Sequence, residues 1–120
     1  MNKLPVIFVL LVAIEHVYIL ILEVFLWEKP RTLKIFRMSP EEAKISKKLA
    51  INQGVYNGFL AAGLMYGALH PNIIFGRQLQ LFFLSCVIIA AITGSLTAKK
   101  SILFIQGLPA LIAILLVLFV

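Results

Sequence analysis

Apolar residues run along this chain in four long stretches, at about residues 4–27, 49–69, 78–98 and 102–120, separated by short polar intervals. Each stretch is long enough to cross about 30 Å of hydrocarbon at about 1.5 Å per residue. The pattern predicts an all-α membrane protein. It is read as a single domain over residues 1–120, a four-transmembrane-helix bundle with almost nothing outside the bilayer.

The second helix is expected to start earlier than its apolar part. Ser39-Pro40-Glu41-Glu42 offers a capping serine, a proline suited to the first helical position and a glutamate three residues after the serine. No breaker follows until Gly54, so this helix is placed at about 40–69. The first segment needs its insertion checked, because it contains Glu15, His16 and Glu23. Its Leu, Ile, Val and Phe residues number seventeen, each favourable by about 0.3–0.6 kcal/mol near the bilayer centre. A mid-membrane carboxylate costs about 2.5–3.5 kcal/mol on the same scale, so the apolar side wins. The segment is read as a retained helix, not a cleaved leader, since no small-x-small cleavage site precedes Trp27-Glu28-Lys29-Pro30.

Small residues recur at four-residue spacing: Gly54, Gly58 and Ala62, then Gly63 and Gly67, then Ala90, Gly94 and Ala98. In lipid such rows let helix backbones approach closely. Pro109 removes a backbone donor next to Gln106, so a kink or polar contact is expected there.

Composition sharpens this picture. The chain is 62% hydrophobic and 13% charged, with a mean hydropathy of +1.04, whereas a soluble domain carries about 25% charged residues. The net charge of +6 does not point to nucleic acid, because the bases crowd next to apolar segments and suit anionic headgroups. Nine bases (Lys29, Arg31, Lys34, Arg37, Lys44, Lys47, Lys48, Lys99 and Lys100) face two (Lys3 and Arg77) across the expected topology. Loops one and three are therefore expected to be cytoplasmic, with both termini on the non-cytoplasmic side of the cell membrane. His70 and Arg77 are placed in a solvated outer loop, and Cys86, the single cysteine, is read as packing.

Polar groups inside membrane helices are costly, so they mark the candidate site. At about 100° per residue, Glu15, His16 and Glu23 fall within an arc of about 100°, with Tyr18 beside Glu15. Asn52, Gln53, Tyr56 and Asn57 occupy about 140° of the second helix, all in its cytoplasmic half, and Gln106 is expected at similar depth. The reading assigns catalytic roles to Glu15, His16 and Glu23, and ligand contacts to Tyr18, Asn52, Gln53, Tyr56, Asn57 and Gln106. A carboxylate-bridged metal site is not expected, because no Glu-x-x-His spacing is present. No cofactor motif appears either: there is no Walker loop, dinucleotide fingerprint or nucleophile elbow.

Ile14-Glu15-His16 with Tyr18, Glu23-Val24-Phe25-Leu26-Trp27, and Pro30-Arg31 form one set of motifs. The run from Asn52-Gln53-Gly54-Val55-Tyr56-Asn57 to Gly63 is more specific, and Gln80-Leu81-Phe82-Phe83 and Gln106-Gly107-Leu108-Pro109-Ala110 extend it. Together they resemble the domain-of-unknown-function 1304 family of small membrane proteins, over nearly the whole chain. The resemblance implies four membrane helices and lends no activity.

Three functions compete. The polar cluster serves a small lipid-soluble ligand by binding it or by proton transfer. Alternatively the chain is a structural or accessory subunit whose polar groups only join helices, or a proton-coupled transporter of small molecules. The expected partners are the lipid bilayer, a small hydrophobic ligand and a second copy of the chain.

Overall fold

The computed structural model describes residues 2–120. Among the described residues five α-helices follow one another: α1 (Leu4–Val24), α2 (Pro30–Phe36), α3 (Pro40–Ala68), α4 (Ile73–Thr97) and α5 (Leu108–Phe119). A π-helical turn, Leu103–Gly107, leads into α5. The described residues contain no strand. Two helices, α1 and α4, are long and apolar enough to cross a membrane; Leu103–Phe119 is apolar but shorter.

The helix starts follow local chemistry. At α3 the capping box closes in both directions: Glu42 N–H donates to Ser39 Oγ at 3.1 Å, and Ser39 N–H donates to Glu42 Oε1 at 2.8 Å. At α4, Asn72 Oδ1 accepts from Phe75 N–H at 3.0 Å. That cap starts α4 at Ile73, five residues before the expected 78, and so puts Arg77 on a helix, not in a solvated loop. His70 does lie in the connector.

Two elements depart from the expected boundaries. α1 stops at Val24, and the turn after it is tied to α3: Trp27 Nε1 donates to Ser46 Oγ at 3.1 Å, and Lys47 pairs with Glu28 at 3.0 Å. The basic interval then holds a helix of its own, α2. Pro30 opens it, and Arg37 closes it in the left-handed region at φ 52°, sending its N–H to the Leu33 and Lys34 carbonyls. The last segment is not one regular helix, since Pro109 has no N–H to offer the carbonyl one turn earlier and the chain widens into the π turn just before it.

The chain forms two compact units. One comprises the chain up to Ile14 together with Leu60–Val120; the other is Glu15–Phe59. The core of the first unit draws on four helices: Val9, Val12 and Ala13 of α1, Leu64 of α3, Leu84 and Val87 of α4, and Ala110, Ala113 and Val117 of α5. Its tightest approach is between α3 and α4. A Cβ on Gly76 would lie 2.6 Å from the Gly67 carbonyl oxygen, and one on Gly67 would lie 3.0 Å from the Gly76 oxygen. Beside this crossing, the buried Gln80 donates its amide to the Gly67 carbonyl at 3.0 Å. A side chain at Gly63 would collide with the Phe83 ring. The row expected at Ala90, Gly94 and Ala98 is not the packed one. Ala90 and Ala98 are exposed, and Ala91, one position on, is buried against Gly107.

Candidate functional site

In the second unit, α1 and α3 meet along a stripe with little side chain. A Cβ at Gly54 would lie 2.5 Å from Val24 Cγ2 and 3.2 Å from Glu23 Cβ, and one at Gly58 would lie 2.7 Å from Leu20 Cδ1. Between these glycines stands Asn57. Because its neighbours have no side chains, α3 comes close enough for the short Asn57 side chain to reach α1. Its Nδ2 donates to Glu23 Oε1 at 2.5 Å. Glu23 is buried, at 8% exposure, and this bond satisfies one of its two carboxyl oxygens.

His16 is seven residues before Glu23, about 20° away around the helix, and it is wholly buried. Ile19 and Leu22 complete the buried stripe of α1 in this unit. Glu15 is about 100° round from His16 and half-buried. One of its carboxyl oxygens, Oε1, is sealed from solvent and has no hydrogen-bond partner among the described residues. Leaving a buried polar atom unbonded costs about 1–3 kcal/mol.

The other expected contacts lie elsewhere. Asn52, Gln53 and Tyr56 are on the exposed side of α3, and Tyr18 is on the exposed side of α1. The reason is the stripe itself: Ala50, Gly54, Asn57 and Gly58 take the face that packs, and residues about 100–200° away face outwards. The row continues from Gly58 to the buried Ala61, and the expected Ala62 is exposed. Gln106 is half-buried in the π turn and belongs to the other unit.

An open cavity of about 330 Å3 lies just beyond the end of α1, with Val24, Trp27, Lys29 and Lys47 among its walls. No group of three or more metal-binding side chains occurs among the described residues. Sequence reasoning missed Thr32, which is buried on α2 with an unpartnered Oγ1; a threonine in a basic interval carries no signal of burial. It also gave no role to Gln80, although a glutamine within an apolar run was a visible one.

Comparison with known proteins agrees with this chain's pattern and adds no activity. The family model described as "Protein of unknown function (DUF1304)" matches residues 10–118. The "Uncharacterized protein YpaA" of Lactococcus lactis subsp. lactis (strain IL1403) is 37% identical over 119 residues, which cover 96% of this chain and 97% of that protein. No solved structure matches. On the family match and this full-length similarity, the chain belongs to the DUF1304 family.

Proposed function

We propose that this chain is a four-span protein of the cell membrane, with α1, the apolar part of α3, α4 and the Leu103–Phe119 segment crossing the bilayer. The support is an inverted distribution of size. Much of the buried apolar set is alanine and valine: Val9, Val12, Ala13, Ala50, Ala61, Val87, Ala91, Ala110 and Ala113. The large side chains point out, among them Ile7, Leu11, Phe59, Phe82, Ile89, Phe104 and Leu115. Small residues inside and large ones outside suit helices that pack by close approach in lipid, whereas a soluble surface seldom carries so much contiguous apolar area. The basic intervals around α2 and at Lys99-Lys100 lie on the cytoplasmic side in this reading, and both termini lie opposite. With Cys86 replaced by alanine, cysteines at Lys34 and Lys100 are expected to resist an impermeant thiol reagent in intact cells, and one at Asn72 to react. Labelling of Lys34→Cys from outside contradicts the topology.

The functional reading rests on Glu15. We propose that its buried, unbonded oxygen faces the site of a small lipid-soluble molecule, with His16 and the Glu23–Asn57 pair supplying the proton-transfer chemistry beside it. A polar atom left unsatisfied at depth in a membrane helix is costly unless a ligand meets it. Purified protein is expected to gain several degrees of thermal stability with at least one fraction of a lipid-soluble extract of the expression host. Glu15→Gln is expected to lose that gain. If no fraction raises the wild type above Glu15→Gln, the proposal fails.

A second reading has its own observation. The Glu23–Asn57 bond sits between two glycines at a helix crossing, which is also what a purely structural clamp requires. In that reading the chain is an accessory subunit, and the exposed Asn52, Gln53, Tyr18 and Tyr56 face a partner. The proton-coupled transporter has no comparable observation in its favour.

A further inference from the structure

We infer that the first unit holds a second binding site, a chamber for a single-chain amphiphile with an anionic head, and that Arg77 receives the head. The chamber is an open cavity of about 490 Å3, within the about 300–1,000 Å3 of sites that hold small molecules. It lies where the start of α1, the end of α3, the start of α4 and the end of α5 come together. Pro5, Val6, Ala68 and Leu118 give it apolar walls, and Arg77 and Gln80 are its polar groups on α4.

Arg77 is held in place by backbone. Its Nε donates to the Val117 carbonyl and its Nη2 to the Leu118 carbonyl, both at 3.1 Å. Those are carbonyls that the end of a helix leaves unsatisfied, and the helix dipole favours a cation there. A guanidinium has about five N–H groups, so this fork leaves donors over, and no other partner meets them among the described residues. Gln80 gives its amide N–H to Gly67, which leaves its side-chain oxygen free to accept. His70 also lines the chamber, with its Nδ1 held against the Asn72 backbone, 3.0 Å from the N–H and 3.2 Å from the carbonyl oxygen.

No acidic side chain of the first unit answers Arg77. The acids of this chain are Glu15, Glu23, Glu28, Glu41 and Glu42, and all five belong to the second unit. The first unit has no Asp or Glu side chain, and Arg77 makes no ion pair among the described residues, the terminal carboxylate of Val120 on the cavity wall included. A fixed cation, spare donors and apolar walls match a carboxylate or phosphate joined to an alkyl chain. This site shares no residue with the one proposed around Glu15.

The test uses the full chain in a neutral maltoside detergent at pH 8, with dodecanoate, dodecyl phosphate and dodecanol as probes. Half-saturation is read from thermal stabilisation. Dodecanoate and dodecyl phosphate are expected to saturate at about tenfold lower concentration than dodecanol, as charge-assisted bonds to the head require. Arg77→Lys and Arg77→Gln both lose the fork to the α5 carbonyls, so the structural loss is common to them. Only Arg77→Gln is expected to lose the preference for the anions. Val6→Trp, which leaves Arg77 intact and fills the chamber, is expected to abolish saturable stabilisation by all three probes. Equal half-saturation for acid and alcohol in the wild type overturns the inference, as does an anion preference that survives Arg77→Gln or saturable binding that survives Val6→Trp. Glu15→Gln is expected to leave the dodecanoate response unchanged, which separates this site's failure from failure of the Glu15 site.

Discussion

Gly76→Ala is expected to destabilise the first unit by about 2–3 kcal/mol, near the upper end for an added methyl in a packed interior. The new Cβ would sit 2.6 Å from the Gly67 carbonyl oxygen, and a backbone atom in a helix cannot rotate away. α3 and α4 must then separate. Their separation also stretches the buried bond from Gln80 to the same carbonyl, whose loss leaves polar groups unpaired. The gain of about 1 kcal/mol from replacing glycine by alanine within a helix does not offset this. Gly94→Ala is the control. There the new Cβ would lie 3.0 Å from Ile102 Cγ2, a side-chain methyl and not a backbone atom of a packed helix, so the propensity gain is expected to cancel most of the strain. Unfolding of the purified variants in mixed micelles reads both. Equal midpoints for Gly76→Ala and Gly94→Ala contradict the account of the crossing.

Asn57→Leu is expected to cost about 1–3 kcal/mol, because it strands the buried Glu23 carboxyl without its donor. Removing both partners removes the stranded group, so Glu23→Leu with Asn57→Leu is expected to recover much of the stability. That double variant also separates the two functional readings. If Glu23 and Asn57 only join helices, a stable double variant rescues whatever deletion phenotype the wild type rescues. If they belong to a reactive site, the variant folds and fails to rescue. The decisive measurements are the unfolding midpoints of the single and double variants beside their complementation. A double variant less stable than Asn57→Leu alone contradicts the pairing.

Much of the helical plan was legible because it depends on neighbours in sequence. Apolar run length marked the α1 and α4 segments, the Ser39–Glu42 box marked the start of α3, and Pro109 marked the irregular turn before α5. Legibility failed where a single cap moved a boundary. Asn72 extends α4 back over Arg77, and an asparagine in a polar interval looks the same whether it caps or not. The short helix α2 was missed for a related reason: seven residues between a proline and a left-handed arginine give too little periodicity to read.

The candidate site divides in the same way. Burial cost alone singled out Glu15, His16 and Glu23, since no residue-level argument makes an ionisable group cheap in an apolar helix. Which amide answers them is a tertiary matter. Asn52, Gln53 and Asn57 are equally polar and nearly equal in depth, yet only Asn57 stands between Gly54 and Gly58 where the backbones close. Likewise the fork from Arg77 joins residues forty and forty-one positions apart, a pairing that no local pattern encodes. Sequence by itself determined the apolar lengths, the caps and the list of costly polar groups, because those follow from solvent and from nearest neighbours. Tertiary structure decided which groups meet, because a bond of about 3 Å between helices depends on how closely two backbones approach, and that distance is set by the packing of every residue along the contact.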